Sequence, residues 1–353
     1  MTGLQFSGER LLIRADASVA IGTGHVMRCL ALSQAWQDQG GSVTFAMAQS
    51  TTAIEERLRT EGVRLIRMEV APGSAADSAQ LIKVSLSQSA AWVVVDGYVF
   101  DSHYQEALGA AGLKVILIDD NGRLDTYTVK IVLNQNIHAH ESLYKNREAY
   151  TRLLLGTKYA LLRREFVSAN FRREFPAVGR KALVSMGGSD PYNVTLSVLE
   201  AIEAVGVEKL QVIVVAGGSN PHLASVREAV AKSSQDCRVL TNVNNMQEVI
   251  AWADFAISAA GTTCWEYCAL GLPAILIAVA ENQVVCARAL HDTGAARLVG
   301  GGAKFAVAEL AQAAVRLAHS SRERRTLSQN ARALVDGQGA ARTVSVLLAE
   351  GAS

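Results

Sequence analysis

The sequence predicts an α/β protein built from two Rossmann-like domains, on three observations. Short, nearly all-apolar runs alternate with amphipathic stretches, the mark of parallel strands covered on both faces. The alternation comes in two blocks, separated by the charged stretch Arg163–Lys181 with its Pro176 and Gly179. Half of the 353 residues are hydrophobic, enough to bury two sizeable cores. The expected division is 1–165, a linker over 166–180, and 181–353. Ligands of open parallel sheets lie beyond the carboxyl ends of the strands, so a cleft between the two domains is the expected site.

In the first block, Leu11–Ala15, Val43–Met47, Trp92–Asp96, Val115–Ile118 and Ile131–Leu133 read as strands. The first helix runs from about Gly24 to Gln39, gathers Val26, Cys29, Leu30, Leu32 and Trp36 on one side, and stops at Gly40-Gly41. The second block repeats the theme with Ala182–Met186, Gln211–Ala216, Phe255–Ser258 and Ala274–Val279. The tail from Ala306 to Ala352 is helical in pattern, with breaks at Ser320-Ser321 and Gly337-Gln338-Gly339, and is assigned to the second domain.

Composition removes several function classes. With 34 basic and 33 acidic residues the net charge is +1, which speaks against a nucleic-acid stripe or a polybasic membrane patch. The five cysteines are odd in number and scattered, as in a reduced, cytoplasmic protein rather than a disulfide framework. Met1–Arg10 lacks the apolar core of a signal peptide. The longest apolar run, Leu270–Ala280, holds Gly271 and Pro273 and is too short to span a bilayer. No stable membrane association is expected, and a monomer suffices for a cleft site. His138-x-His140 and Asp119-Asp120 suggest a metal only weakly, since two ligands on a polar loop fall short of a set and strand-end acids commonly form turns. Neither a metal nor a cofactor is expected.

The most informative stretch is Ile21-Gly22-Thr23-Gly24-His25-Val26-Met27-Arg28, directly after the first strand. A strand, a glycine turn and a helix start place backbone N–H groups and an imidazole at the mouth of a sheet. The positive end of the helix dipole disfavours a second proton on His25, which suits a general base. A dinucleotide fingerprint fails, because Met27 stands at the third glycine position and Val43–Ala48 ends without a ribose-binding acid. No P-loop sequence occurs. The better nucleotide signal is Ser258-Ala259-Ala260-Gly261-Thr262-Thr263, whose helix-start N–H groups and hydroxyls can seat a diphosphate, with Glu266 placed for a ribose diol. A capping box over Thr263-x-x-Glu266 explains the last two residues equally well.

The motifs resemble the PseG family, the UDP-2,4-diacetamido-2,4,6-trideoxy-β-L-altropyranose hydrolases. The resemblance rests on Arg14-Ala15-Asp16-Ala17-Ser18 with Ile21–Cys29, then Asp96-Gly97-Tyr98, Ile118-Asp119-Asp120 and Leu133-Asn134-Gln135-Asn136. It continues through Leu155-Gly156, Tyr159–Arg163, Met186-Gly187-Gly188-Ser189-Asp190, Glu266 and Asn282-Gln283. The family is similar in turn to MurG-type glycosyltransferases, which implies a GT-B-like fold with UDP held in the C-terminal half.

The resemblance implies metal-free hydrolysis of a UDP-linked sugar with inversion, in the direction of pseudaminic acid-type glycans of the bacterial surface. His25 would be the base, Tyr98, Asn282 and Gln283 would contact the sugar, and UDP-sugar and UDP would be the partners. Gly22 and Gly24 shape the turn beside the base, while Gly187, Gly188 and Ser189 offer another backbone turn to a phosphate or sugar. Asp190-Pro191 reads as the cap and first residue of the following helix, which is compatible with that contact. Asn282 and Gln283 also fit a plain turn before a helix over Val284–Leu290. Asp16, at the end of the first strand, either orients His25, touches the sugar or caps its loop. The chain carries Gly97 where the resemblance leads one to expect histidine. Two other readings compete with hydrolysis: an inverting MurG-like transferase and a non-catalytic nucleotide-sugar binder.

Overall fold

The structure, a computed structural model, describes residues 8–18, 21–167, 171–217, 220–301 and 305–351. It divides into two compact units, one of Met1–Arg164 with Gly337–Ser353 and one of Glu165–Asp336.

The first unit holds a seven-stranded, all-parallel sheet. Its strands are β1 (Arg10–Ala15), β2 (Ser42–Met47), β3 (Arg64–Arg67), β4 (Ala90–Asp96), β5 (Val115–Ile118), β6 (Ile131–Asn134) and β7 (Arg152–Leu155). Their spatial order is β3-β2-β1-β4-β5-β6-β7. The chain therefore winds outward in opposite directions from β1 and from β4, and the carboxyl ends of those two neighbours mark the switch point where such sheets bind ligands. The strands alternate with α1 (Gly24–Gln37), α2 (Thr52–Thr60), α3 (Ala75–Gln88) and α4 (Ser102–Ala110). The last three start on side-chain caps from Thr51, Ser74 and Asp101.

Alternation along β1 sorts the core. Leu11, Ile13 and Ala15 join Val26, Leu30, Trp36, Phe45 and Trp92 in one layer. Leu12 faces the other way, with Val93, Val95, Phe100 and Leu117. Helix α1 is buried on more than the single apolar side expected, since Arg28, Ser33 and Gln34 are buried as well. Arg28 is held by Asp96 and Asp120 and Gln34 by Glu61, while the C-terminal helix, Gly339–Gly351, also lies against α1 and brings Ala340, Val344 and Leu347 into that layer. The Trp92 indole N–H donates to the Leu347 carbonyl at 3.1 Å. This corrects the assignment of the whole tail to the second domain: an amphipathic pattern says that a face is buried, not in which core.

Gly339 shows how close that helix comes, because a Cβ there would lie 2.2 Å from the Ala160 carbonyl oxygen. Backbone cannot yield as a side-chain tip can. Gly339→Ala is expected to destabilise the protein by about 1–3 kcal/mol. A thermal melt checks this, and an unchanged midpoint would contradict the close approach.

The second unit holds β8 (Lys181–Ser185), β9 (Gln211–Ala216), β10 (Asp236–Thr241), β11 (Phe255–Ala259), β12 (Ala274–Ile277) and β13 (Arg297–Leu298). These form a parallel sheet in the order β10-β9-β8-β11-β12-β13, with its own switch point between β8 and β11. α5 (Arg164–Val167) starts on the last residue before this unit, and the helices within it are α6 (Val194–Glu203), α7 (Leu223–Lys232), α8 (Met246–Trp252), α9 (Thr263–Leu270), α10 (Glu281–Asp292), α11 (Val307–His319) and α12 (Ser321–Leu334). Val184, Val198, Ile202, Val214, Ile257, Leu310 and Leu317 belong to one core.

The expected linker is not a loose tether: 166–167 end α5, and 171–180 is pinned to the second unit. Arg173 is buried and donates to the carbonyls of Ile250, Ala253 and Leu270, at the ends of α8 and α9. The negative ends of those helix dipoles supply its counter-charge, although burial pulls its pKa down to about 10. Arg324 likewise reaches the Pro176 carbonyl from α12.

Candidate active site

The first switch point gathers the residues with chemical capacity. His25, the second residue of α1, is buried, and its Nδ1 lies 2.6 Å from Oδ1 of Asp96, the last residue of β4. Parallel pairing sets Ala15 opposite Asp96. The helix that follows β1 therefore starts beside the carboxyl end of β4. Arg28, one turn further along α1, grips Asp96 through Nε and Nη2, both at 2.7 Å. Its Nη1 donates to Asp120 at 2.7 Å. The Cys29 thiol adds a fourth donor to Asp96 at 3.3 Å.

These contacts fix the protonation of the cluster. Burial works against charge on Asp96, but Arg28 and His25 outweigh it and hold the carboxyl well below the ordinary carboxylate range. Burial also opposes the charge of Arg28, yet Asp120 and Asp96 raise its pKa well above the usual value. Asp120 is lowered against its burial, chiefly by Arg28. Burial and the neighbouring Asp96 push the Cys29 thiol up, so it stays a thiol.

An ionised Asp96 only accepts hydrogen bonds, so the proton of a neutral His25 ring sits on Nδ1 and the lone pair on Nε2. Arg28 Nη2 also approaches Nδ1, at 3.2 Å, because both groups converge on Oδ1. The carboxylate contact decides the tautomer.

Tyr98, two residues beyond β4, meets His25 edge-on, with ring centroids 5.0 Å apart and planes at 83°. Its hydroxyl donates to Asp120 at 2.9 Å, while the residue stays 41% exposed and so open to a ligand. Gly97 explains its own departure from the expected histidine. Its φ is +157°, and a Cβ would lie 2.9 Å from the Phe100 ring. Gly22 pairs with Ser18 in an isolated bridge, and Gly24 opens α1. Thr23, at the N-cap, makes no side-chain cap bond.

Asp16 does not orient His25. Its Oδ1 accepts from the N–H groups of Ala48 and Gln49 at 2.8 and 3.0 Å, and it pairs with Arg14 at 2.7 Å. The loop-capping alternative describes its contacts. Arg14 is itself clamped by Asp77 at 2.8 Å. Asp119 and Asp120 divide their work: Asp119 accepts from Tyr127, Tyr144 and Gly122. Asp120 faces the His25 cluster. His138 and His140 do not converge, since His138 Nε2 lies 3.2 Å from the Asp120 carbonyl and the exposed His140 bonds Ser142. Among the described residues, no three or more histidines, cysteines or acids are grouped to hold a metal ion.

In the second unit the loops after β8 and β11 leave adjacent strands, tied by the Ser258 hydroxyl donating to the Ser185 carbonyl at 2.9 Å. Gly187 and Gly188 are exposed in a turn, with Ser189 half-buried beside them. Asp190 caps the next helix, accepting from the N–H groups of Val194 and Thr195. Pro191 is not the first helical residue, however. The carboxylate reaches over a turn, and α6 starts only at Val194.

Gly261 and Thr262 lead into α9, which starts at Thr263 with Thr262 at the N-cap and no side-chain cap bond there. A capping box led by Thr263 would need the helix to start one residue later. Glu266 lies in the first turn, half-buried. Helix α10 begins at Glu281, earlier than expected, so Asn282 and Gln283 are in its first turn rather than before it. Gln283 Nε2 lies 4.0 Å from where a Gly261 Cβ would be, and its Oε1 accepts from Val279 N–H at 3.1 Å. The starts of α9 and α10 thus meet.

Sequence reasoning missed Asp96, Arg28 and Asp120 as a unit. Arg28 had a signal, since i and i+3 on a helix share a face with His25. Asp96 and Asp120 both sit at carboxyl ends of apolar strands, a second signal.

The comparisons with known proteins agree with this architecture. Residues 182–343 match the glycosyltransferase family 28 C-terminal domain. The chain is 28% identical over 236 residues to the spore coat polysaccharide biosynthesis protein SpsG of Bacillus subtilis, covering 66% of this chain and 69% of that one. It is 25% identical over 288 residues to the UDP-2,4-diacetamido-2,4,6-trideoxy-β-L-altropyranose hydrolase of Campylobacter jejuni, covering 81% and 97%. The crystal structure of MurG from Acinetobacter baumannii superimposes with a TM-score of 0.66 at 16% identity, over 97% of this chain and 99% of that one. The chain is thus a GT-B-like α/β protein of two Rossmann-like units, with a family 28-type C-terminal domain and a resemblance to the PseG hydrolases.

Proposed function

We propose that this protein is an enzyme acting on UDP-linked sugars, and specifically a hydrolase of a UDP-linked 2,4-diacetamido-2,4,6-trideoxyhexose. The observation that carries the reading is the buried His25–Asp96 pair at the switch point of the first unit. In the proposed reaction His25 Nε2 takes a proton from water as the water oxygen bonds to the anomeric carbon. The bond from that carbon to the diphosphate oxygen breaks, and UDP leaves with its electron pair. The imidazolium then returns its proton to solvent. Asp96 holds the tautomer and balances the charge that His25 gains. Backbone N–H groups at the Gly187–Gly188 turn and at the start of α9 would carry the diphosphate charge, with Ser189, Thr262 and Thr263 beside them. Glu266 would meet the ribose, and Tyr98, Asn282 and Gln283 the sugar.

The resemblance to the Campylobacter jejuni hydrolase, which spans nearly all of that protein, supports hydrolysis. The family 28 domain keeps a second reading in play, inverting transfer of the sugar to a hydroxyl acceptor. Incubation with the UDP-diacetamido sugar and no acceptor separates the two. Release of UDP and free sugar, with the anomeric configuration first inverted by NMR, is expected, at a rate that a chelator leaves unchanged. UDP release only when an acceptor is added would replace hydrolysis by transfer.

A further inference from the structure

The proposed chemistry uses His25 and Asp96 directly but gives no task to Asp120, on the loop after β5. Its carboxylate serves two groups at once. Oδ1 accepts from Arg28 Nη1 at 2.7 Å and Asn136 Nδ2 at 2.9 Å. Oδ2 accepts from the Tyr98 hydroxyl at 2.9 Å and Arg28 Nη2 at 3.1 Å. Its own carbonyl is held by Asn134 Nδ2 at 3.0 Å, a second anchor to the end of β6.

Two routes lead from this carboxylate to one imidazole. Through Arg28 it reaches Asp96 and so Nδ1 of His25. Through Tyr98 it reaches the ring itself, edge-on. We infer that Asp120 is a positioning residue, which couples ligand contact at the exposed Tyr98 to the orientation and charge balance of His25. The inference rests on the hydrolase reading for its kinetic consequences, but not for its geometry.

The side chains facing His25 are Asp96 on β4, Arg28 on its own helix and Tyr98, with Asp120 behind Arg28 and the Cys29 thiol on the far oxygen of Asp96. Arg14, on β1, and Asp16, just after it, are paired with each other. With a neutral ring, two carboxylates and one guanidinium leave the buried cluster one negative charge in excess, and a proton gained by His25 cancels it. Asp120→Asn removes that excess, so the gained proton becomes an uncompensated positive charge.

Asp120→Asn should therefore lower kcat on the order of tenfold, the weight of one hydrogen bond to a charged group, with KM changed less than about threefold. The acidic limb of the kcat/KM profile should move to lower pH. Tyr98→Phe should lower kcat less. In kcat the double variant should lose no more than Asp120→Asn alone, because the route through Tyr98 starts at the Asp120 carboxylate. A readout without turnover is the Nδ1 proton resonance of His25 in the ligand-free protein, which Asp120→Asn should shift.

Multiplying effects in the double variant would overturn the coupling. So would an unmoved pH limb with wild-type kcat, or an unmoved resonance. If the wild-type protein hydrolyses no UDP-sugar, the hydrolase reading falls by itself. The resonance then decides the positioning role alone.

Discussion

His25→Ala should lower kcat for UDP-sugar hydrolysis by about 10²–10⁴-fold, the usual weight of a positioned general base. Its affinity for UDP should hold within about twofold, because the residues proposed for the diphosphate are in the other unit. Initial rates of UDP release and a calorimetric titration with UDP measure the two quantities. Asp96→Asn should resemble it in kcat, since an amide can donate to Nδ1 and favour the tautomer whose lone pair points the wrong way. A His25→Ala enzyme within about threefold of wild-type activity would leave the reaction without its assigned base.

Arg28→Met is expected to cost stability instead, by about 3–5 kcal/mol at neutral pH, because it strands the buried Asp96 and the part-buried Asp120. Arg28 is the cation that holds both Asp96 and Asp120 below their ordinary range. The sign with pH follows. In the wild-type protein those lowered carboxyls contribute stability above the unfolded value of about 4, and it is lost as pH falls through their folded values. In the variant, burial without the guanidinium pushes both carboxyls up, so protonation relieves them. The gap between the two proteins should narrow as the pH is lowered from 7 towards 4. Urea unfolding at several pH values checks this, and a constant gap would mean that Arg28 stabilises by packing alone.

The sequence makes the central strands legible because they are covered on both faces and read as nearly all-apolar runs, as in Trp92–Asp96 and Phe255–Ala259. It hides the edge strands. β3 reads Arg-Leu-Ile-Arg, and β10 leaves Asp236 and Arg238 exposed with the rest half-buried, because each has one neighbour and a partly wet face. His25 was legible from its glycine turn, whereas its carboxylate partner was not. Asp16 is closer in sequence, but the β1–β4 pairing that delivers Asp96 is a fact of strand order, 71 residues away. The Gly337–Gly339 break was visible, yet only the Ala160 backbone pressed against Gly339 reveals which core the last helix completes.

That last helix has a consequence for synthesis. Helix α1 gains the part of its packing that comes from Ala340, Val344 and Leu347 only after the whole of Glu165–Asp336 has been translated. At ribosomal speeds of about 5–20 residues per second, the wait is on the order of ten seconds. The later unit, continuous in the chain, can finish folding while the earlier one is still missing a wall. A nascent chain stalled before residue 337 should therefore expose a greasy flank of the very helix that carries His25, and should engage holdase chaperones there.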